Sequence, residues 1–294
     1  MTIEFIEIDW AGRAVRIEHA WLAPERAAAP LVVFLHEGLG SLSTWRDFPQ
    51  RLCDAALCRG LVYSRPGYGR STPRAPEGPQ GRAAPSPPPV GVKETWDGPA
   101  FPCEAAWGLD FLHRQALEVL PALLAALQVT ERPWLFGHSD GGSIALLHAA
   151  HRPAQTAGAI VLAPHIRVEE LSVAGVEEAR TAFETSDLRE RLARHHDDPE
   201  SAFWGWNRIW LHPPIRQWSI EAEITAIACP LLAVQGLDDE YGTLEQIRGI
   251  ARRVPQARLL ELADCGHAPQ RDQPEALLAA AAAFIGVHCR DTSA

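Results

Sequence analysis

Gly137-His138-Ser139-Asp140-Gly141-Gly142 fits the pattern G-x-S-x-G. A serine in that pattern is a nucleophile when the chain turns sharply from strand to helix and projects the hydroxyl. The apolar Trp134-Leu135-Phe136 before it and the helical run Ser143-Ile144-Ala145-Leu146-Leu147 after it supply that context. Gly137, Gly141 and Gly142 are the small neighbours that such a bend requires. A serine hydroxyl attacks only when a base takes its proton. Of the 12 histidines, His267 stands out, because Asp264-Cys265-Gly266-His267-Ala268 follows the late strand-like run Arg258-Leu259-Leu260-Glu261. An acid must orient the imidazole and stabilise its charged form. Gln235-Gly236-Leu237-Asp238-Asp239-Glu240 offers three; Gly-x-x-Asp spacing favours Asp239, with Asp238 next. Acyl transfer builds charge on a carbonyl oxygen, and two N–H groups aimed there lower the barrier. One donor is Asp140. The other comes from His36-Glu37-Gly38-Leu39-Gly40, as Gly38 or Leu39.

These residues need a frame that brings them to one place. Leu31–Leu35, Gly60–Tyr63, Trp134–Phe136, Ala159–Leu162 and Leu231–Val234 are short, continuous apolar runs. Such runs fit strands covered on both faces, as in a parallel sheet. Helical patterns at roughly 44–57, 109–127, 141–151, 243–253 and 273–285 alternate with them, which predicts an α/β fold. Two alternating segments around Ala11-Gly12-Arg13 predict an antiparallel hairpin at one edge of the sheet. All the candidate site residues then follow the carboxyl ends of strands, where open α/β sheets place their ligands.

Two stretches break the alternation. Residues 72–106 hold nine prolines between Pro73 and Pro102 and cannot pack a core, so they read as an inserted surface loop. Residues 166–220 are helical in pattern and read as a cap inserted between core segments 1–165 and 221–294. Within it, Asp198-Pro199 looks like an N-cap and first helical position, and Phe203, Trp206 and Trp210 share one helix face. The chain has 10 tryptophans, four of them in the cap at 204, 206, 210 and 218. Leu39, Trp206 and Trp210 are the candidate pocket residues, with Asn207 and Arg208 available to orient a polar end of the substrate. His195-His196-Asp197-Asp198 reads as an exposed helix end rather than a metal site, and Arg189, Arg191 and Arg194 as a solvated face.

The chain of 294 residues is 47% hydrophobic, enough for a sizeable core. A net charge of −10 argues against nucleic-acid and anionic-membrane partners. Acidic residues interrupt the N-terminus and no run of about 18 apolar residues occurs, so neither a signal peptide nor a membrane span is expected. The six cysteines form no CxxC pair and read as reduced thiols of a cytoplasmic protein. No metal or cofactor is implied; the expected partner is a small-molecule substrate, with room for a homo-oligomer.

The succession HEGLG, GHSDGG, cap, GLDDE and CGHAP, each after a strand, resembles the α/β-hydrolase superfamily. Tyr63-Ser64-Arg65-Pro66-Gly67-Tyr68-Gly69-Arg70-Ser71 is similar to the family's D-x-P-G-x-G-x-S segment, with Ser64-Arg65 in place of its acidic start. The resemblance covers the chain except 72–106 and implies a serine hydrolase acting on a carboxylic ester, lactone or thioester. Two further departures stand out: Glu37 where the family usually has glycine, and Asp140 where many carbon–carbon hydrolases have methionine. An elbow serine disfavours the haloalkane dehalogenase and epoxide hydrolase branches, which use a carboxylate nucleophile. The alternatives are a carbon–carbon hydrolase or a proline iminopeptidase-like enzyme on the same triad, and a binding protein with an idle triad.

Overall fold

Three strands that the sequence marks as doubly buried lie at the centre of one eight-stranded sheet. A computed structural model describes residues 2–73 and 108–290. The proline-rich insertion lies outside the described residues from position 74 onward. Strands β1 (Glu4–Trp10), β2 (Arg13–Leu22), β3 (Leu31–Leu35), β4 (Arg59–Tyr63), β5 (Trp134–His138), β6 (Gly158–Leu162), β7 (Leu231–Gly236) and β8 (Arg258–Leu262) are ordered β1-β2-β4-β3-β5-β6-β7-β8. Every residue of β3, β5 and β6 is buried. Each fully buried aliphatic or aromatic side chain contributes about 1.5–3 kcal/mol.

The hairpin turns on Ala11 and Gly12, at φ 54° and 72°. Two consecutive positive φ angles match the twist of the strands that they join. From β4 onward all pairs are parallel, with Leu35 opposite Gly137, His138 opposite Leu162, Leu162 opposite Val234, and Gly236 opposite Leu262. That register ends β3, β5, β6, β7 and β8 along one edge, so the loops after them converge.

The helices are α1 (Phe48–Ala55), α2 (Phe111–Arg114), α3 (Leu120–Ala126), α4 (Asp140–His151), α5 (Glu170–Thr185), α6 (Leu188–Leu192), α7 (Pro199–Trp210), α8 (Glu245–Arg253), α9 (Pro269–Asp272) and α10 (Pro274–Arg290). A π turn over Gln115–Val119 joins α2 to α3. The expected cap segment carries α5, α6 and α7. Helix α7 begins as the sequence predicts, with Asp198 Oδ1 accepting the Ser201 N–H at 2.9 Å and Pro199 at the first position. Phe203, Trp206 and Trp210 are buried along its inner face. Cys53, Cys58, Cys229 and Cys265 are buried free thiols. Among the described residues no helix is long and apolar enough to cross a membrane.

Candidate active site

The turn from β5 into α4 puts Ser139 at φ 52°, ψ −118°, a conformation side chains rarely adopt. Close approach of the two elements forces this turn and forbids side chains around it. A Cβ on Gly137 would lie 2.1 Å from the Gly141 carbonyl oxygen, and one on Gly141 would lie 2.0 Å from that of Leu35. The Ser139 N–H donates to the Leu162 carbonyl at 2.8 Å, which fixes the turn to β6.

Ser139 Oγ lies 2.9 Å from His267 Nε2, and His267 Nδ1 lies 2.8 Å from Asp239 Oδ1. The N–H groups of Tyr241 and Gly242 also donate to Asp239 Oδ1, at 2.9 and 3.2 Å, and Gln235 Nε2 donates to Oδ2 at 3.0 Å. Burial opposes ionisation of Asp239. The His267 hydrogen bond and charge and the Tyr241 amide outweigh it, and the carboxyl stays below its ordinary range. Asp238 is exposed, and Glu240 Oε2 accepts the His267 backbone N–H at 3.1 Å. Of the three acids, Asp239 alone reaches the His267 ring.

Ser139 is 7% exposed and faces a cavity of about 130 Å³. Gly38, Leu39, Asp140, Trp206 and Trp210 line it with His267, so the expected donor and pocket residues all meet there. Trp206 lies directly on Gly38, where a Cβ would be 2.2 Å from the indole nitrogen. Among the described residues the Gly38 N–H has no acceptor, and Asp140 opens α4, where an amide has none within the helix. Asn207 and Arg208 do not line the cavity. Asn207 Nδ2 donates to the Val176 carbonyl at 3.0 Å, tying α7 to α5, and Arg208 lies over the Trp204 ring.

The three departures from the family pattern lie side by side: Glu37 and Asp140 line the cavity, and Arg65 contacts both. Arg65 and Asp140 are each 1% exposed, with Nη2 3.5 Å from Asp140 Oδ2. The same Nη2 donates to the Glu37 carbonyl at 2.9 Å, and the guanidinium lies over the Tyr68 ring. Burial raises the Asp140 carboxyl and Arg65 opposes the rise. Glu37 points its carboxylate towards His138 Nδ1, at 3.5 Å. Burial works against that charge, but the His138 hydrogen bond and the neighbouring imidazoles prevail and hold it at about 2. Removing one partner of a buried pair leaves the other uncompensated. Arg65→Met is therefore expected to cost about 3–5 kcal/mol of unfolding free energy by urea titration at pH 7, and adding Asp140→Asn to recover part of it. A cost below about 1 kcal/mol would remove the pair from any account of stability.

Sequence reasoning missed four neighbours. His138 Nε2 lies 2.6 Å from the His267 carbonyl oxygen and its Nδ1 lies 3.0 Å from Gln270 Nε2, so it holds the histidine loop. His165 packs between Trp210 and His267, and burial lowers it to about 3, so it remains neutral beside the imidazole. Tyr241 packs on His267 with ring centroids 4.8 Å apart. Arg65 was visible only as a departure from a pattern. His195-His196 is a correction: His196 is 4% exposed, buried against the core rather than at an exposed helix end. Among the described residues no histidine, cysteine or acid cluster could hold a metal ion.

The sequence matches no curated protein. Solved structures are similar along nearly the whole chain. An esterase from Thermogutta terrifontis with malate bound has a TM-score of 0.68 at 18% identity, covering 98% of this chain and 99% of its own. An enol-lactonase from Burkholderia xenovorans has a TM-score of 0.66 at 20% identity, covering 92% and 96%. A proline iminopeptidase from Mycobacterium smegmatis has a TM-score of 0.66 at 15% identity, covering 97% and 98%. The model of the alpha/beta hydrolase family matches residues 32–281, and with that match the chain belongs to this family.

Proposed function

We propose that the protein hydrolyses a small carboxylic ester, lactone or thioester through an acyl-enzyme on Ser139. The observation that carries this reading is the continuous relay from Asp239 through His267 to Ser139 Oγ, at 2.8 and 2.9 Å, opening on the cavity. In this mechanism His267 Nε2 takes the proton as Oγ bonds to the substrate carbonyl carbon. The Gly38 and Asp140 N–H groups receive the oxyanion, and the ionised Asp239 stabilises the imidazolium. Collapse expels the alcohol or thiol, protonated by His267. Water then repeats the sequence and frees the acid.

The test is release of p-nitrophenol from p-nitrophenyl acetate and butyrate. A burst equal to the enzyme concentration before steady turnover marks an acyl-enzyme. Turnover of proline p-nitroanilide with inert esters would favour the iminopeptidase alternative, for which Glu37 is an acid in the cavity wall.

Size narrows the substrate. Cavities on the order of 150 Å³ hold a benzene-sized guest, and this one is smaller. Trp206 closes it above Gly38. Trp206→Ala is expected to move the preference from acetyl and butyryl towards octanoyl esters, raising the octanoate-to-butyrate ratio of kcat/KM about tenfold. An unchanged ratio places the acyl chain elsewhere.

A further inference from the structure

The segment between α6 and α7 reaches down to two core loops through one imidazole. The Gly69 N–H donates to His196 Nδ1 at 2.9 Å, and His196 Nε2 lies 3.0 Å from the Leu39 carbonyl oxygen. An amide N–H can only donate, so Nδ1 is the bare nitrogen, Nε2 carries the hydrogen, and it donates to Leu39. Both bonds are therefore met by a single neutral tautomer. Burial favours that neutral form. Two backbone features hold the ring in place: the Asp197 N–H donates to the Gly69 carbonyl at 2.9 Å, and the His196 N–H to that of Leu192 at 3.0 Å. His195 makes a separate contact, Nδ1 to Ser43 Oγ at 2.8 Å, and does not touch Leu39.

Leu39 follows Gly38, and Trp206 presses on Gly38 from the next helix. The loop that carries the second oxyanion donor is thus gripped from above at adjacent residues, by an indole on one and by an imidazole on the other. Its own internal bond is the Gly40 N–H to the Glu37 carbonyl, at 3.1 Å. We propose that His196 is a positioning residue for the reaction: by holding the Leu39 carbonyl it orients the Gly38 N–H, so that the oxyanion hole is complete only with the 193–198 segment seated. This rests on the acyl-transfer reading above.

Two near-isosteric variants separate the bonds. His196→Asn keeps an acceptor for Gly69 but is too short to reach Leu39; His196→Gln carries an amide N–H far enough to reach it. With p-nitrophenyl butyrate, and kcat counted per burst-titrated site, His196→Asn is expected to lose about tenfold in kcat with KM within about threefold. His196→Gln and the control His195→Ala are expected to stay within about threefold of wild type. Amide hydrogen exchange supplies a readout that needs no turnover: residues 38–40 exchange faster in His196→Asn and not in His196→Gln, while α4 is unchanged in both. Wild-type kcat and wild-type exchange in His196→Asn overturn the proposal, as does a His196→Gln variant that tracks His196→Asn in both. If wild type hydrolyses no ester, the acyl-transfer reading fails, and exchange at 38–40 alone decides the clasp: faster exchange in His196→Asn upholds it, and unchanged exchange overturns it.

Discussion

Ser139→Ala is expected to lower kcat for p-nitrophenyl butyrate by roughly 10⁶, close to the limit set by hydrolysis in a cavity without a nucleophile. The side chain is small and the backbone strain at φ 52° is the same for alanine, so the fold loses little. What disappears is the atom that His267 Nε2 faces at 2.9 Å. The remaining Gly38 and Asp140 amides still favour an oxyanion, and a residual rate of about 10³–10⁴ over water is expected from them. Labelling by a fluorophosphonate should vanish with turnover. Equal activity in wild type and variant would place the nucleophile elsewhere, and the acyl-enzyme reading would fall with it.

The second large effect separates the acids of the loop after β7. Asp239→Asn preserves an oxygen for the Tyr241 and Gly242 amides and for His267 Nδ1, and loses only the acceptor for Gln235 Nε2. The negative charge beside the forming imidazolium does not survive, and the imidazole is free to take the wrong tautomer. A loss of roughly 10³–10⁴ in kcat follows from that chemistry. Asp238→Asn, at an exposed position that only lends its backbone to Cys265, should stay within about twofold. The sign with pH is also fixed. Asp239 is held below its ordinary range, so its charge is present above that range and lost only as pH falls through the lowered value. Over the neutral range the Asp239 charge is therefore constant, and Asp239→Asn should lower activity by the same factor across that range. Similar losses in both variants would show that the loop's fold, and not the Asp239 carboxylate, is what matters.

The central strands were readable because burial on both faces leaves a continuous apolar run, and β3 begins and ends where that run does. Edges were less visible. β8 has exposed Arg258 and Glu261, and the helical pattern at roughly 44–57 divides between the end of a 3₁₀ turn at Leu42–Trp45 and α1. The serine, histidine and acid were legible because each stands in a short motif after a strand. Arg65, His138, His165 and His196 were not, because no local pattern records a partner so distant in the chain. Each meets the site through packing: Arg65 against Asp140, His138 against the His267 carbonyl, His165 against Trp210 and His196 against Leu39. Glu37, Arg65 and Asp140 are instructive, since sequence comparison makes them separate oddities and the fold brings all three together, with Arg65 paired to the Asp140 carboxylate and bonded to the Glu37 backbone carbonyl. A carboxylate next to the nucleophile requires a buried cation, and Arg65 provides it.

The strand order carries a consequence for how the molecule comes into being. Gly38 and Ser139 follow β3 and β5, strands near the middle of the sheet, whereas His267 follows β8, the outermost strand on its side, paired only with β7. A chain growing from its N-terminus can therefore build the donors, the elbow and the cavity wall while it still has no base. On the acyl-transfer reading, Ser139 gains its base only once β8 is paired with β7 and His267 lies beside it. On the same reading, a chain that lacks β8 carries a serine hydroxyl with no base to take its proton.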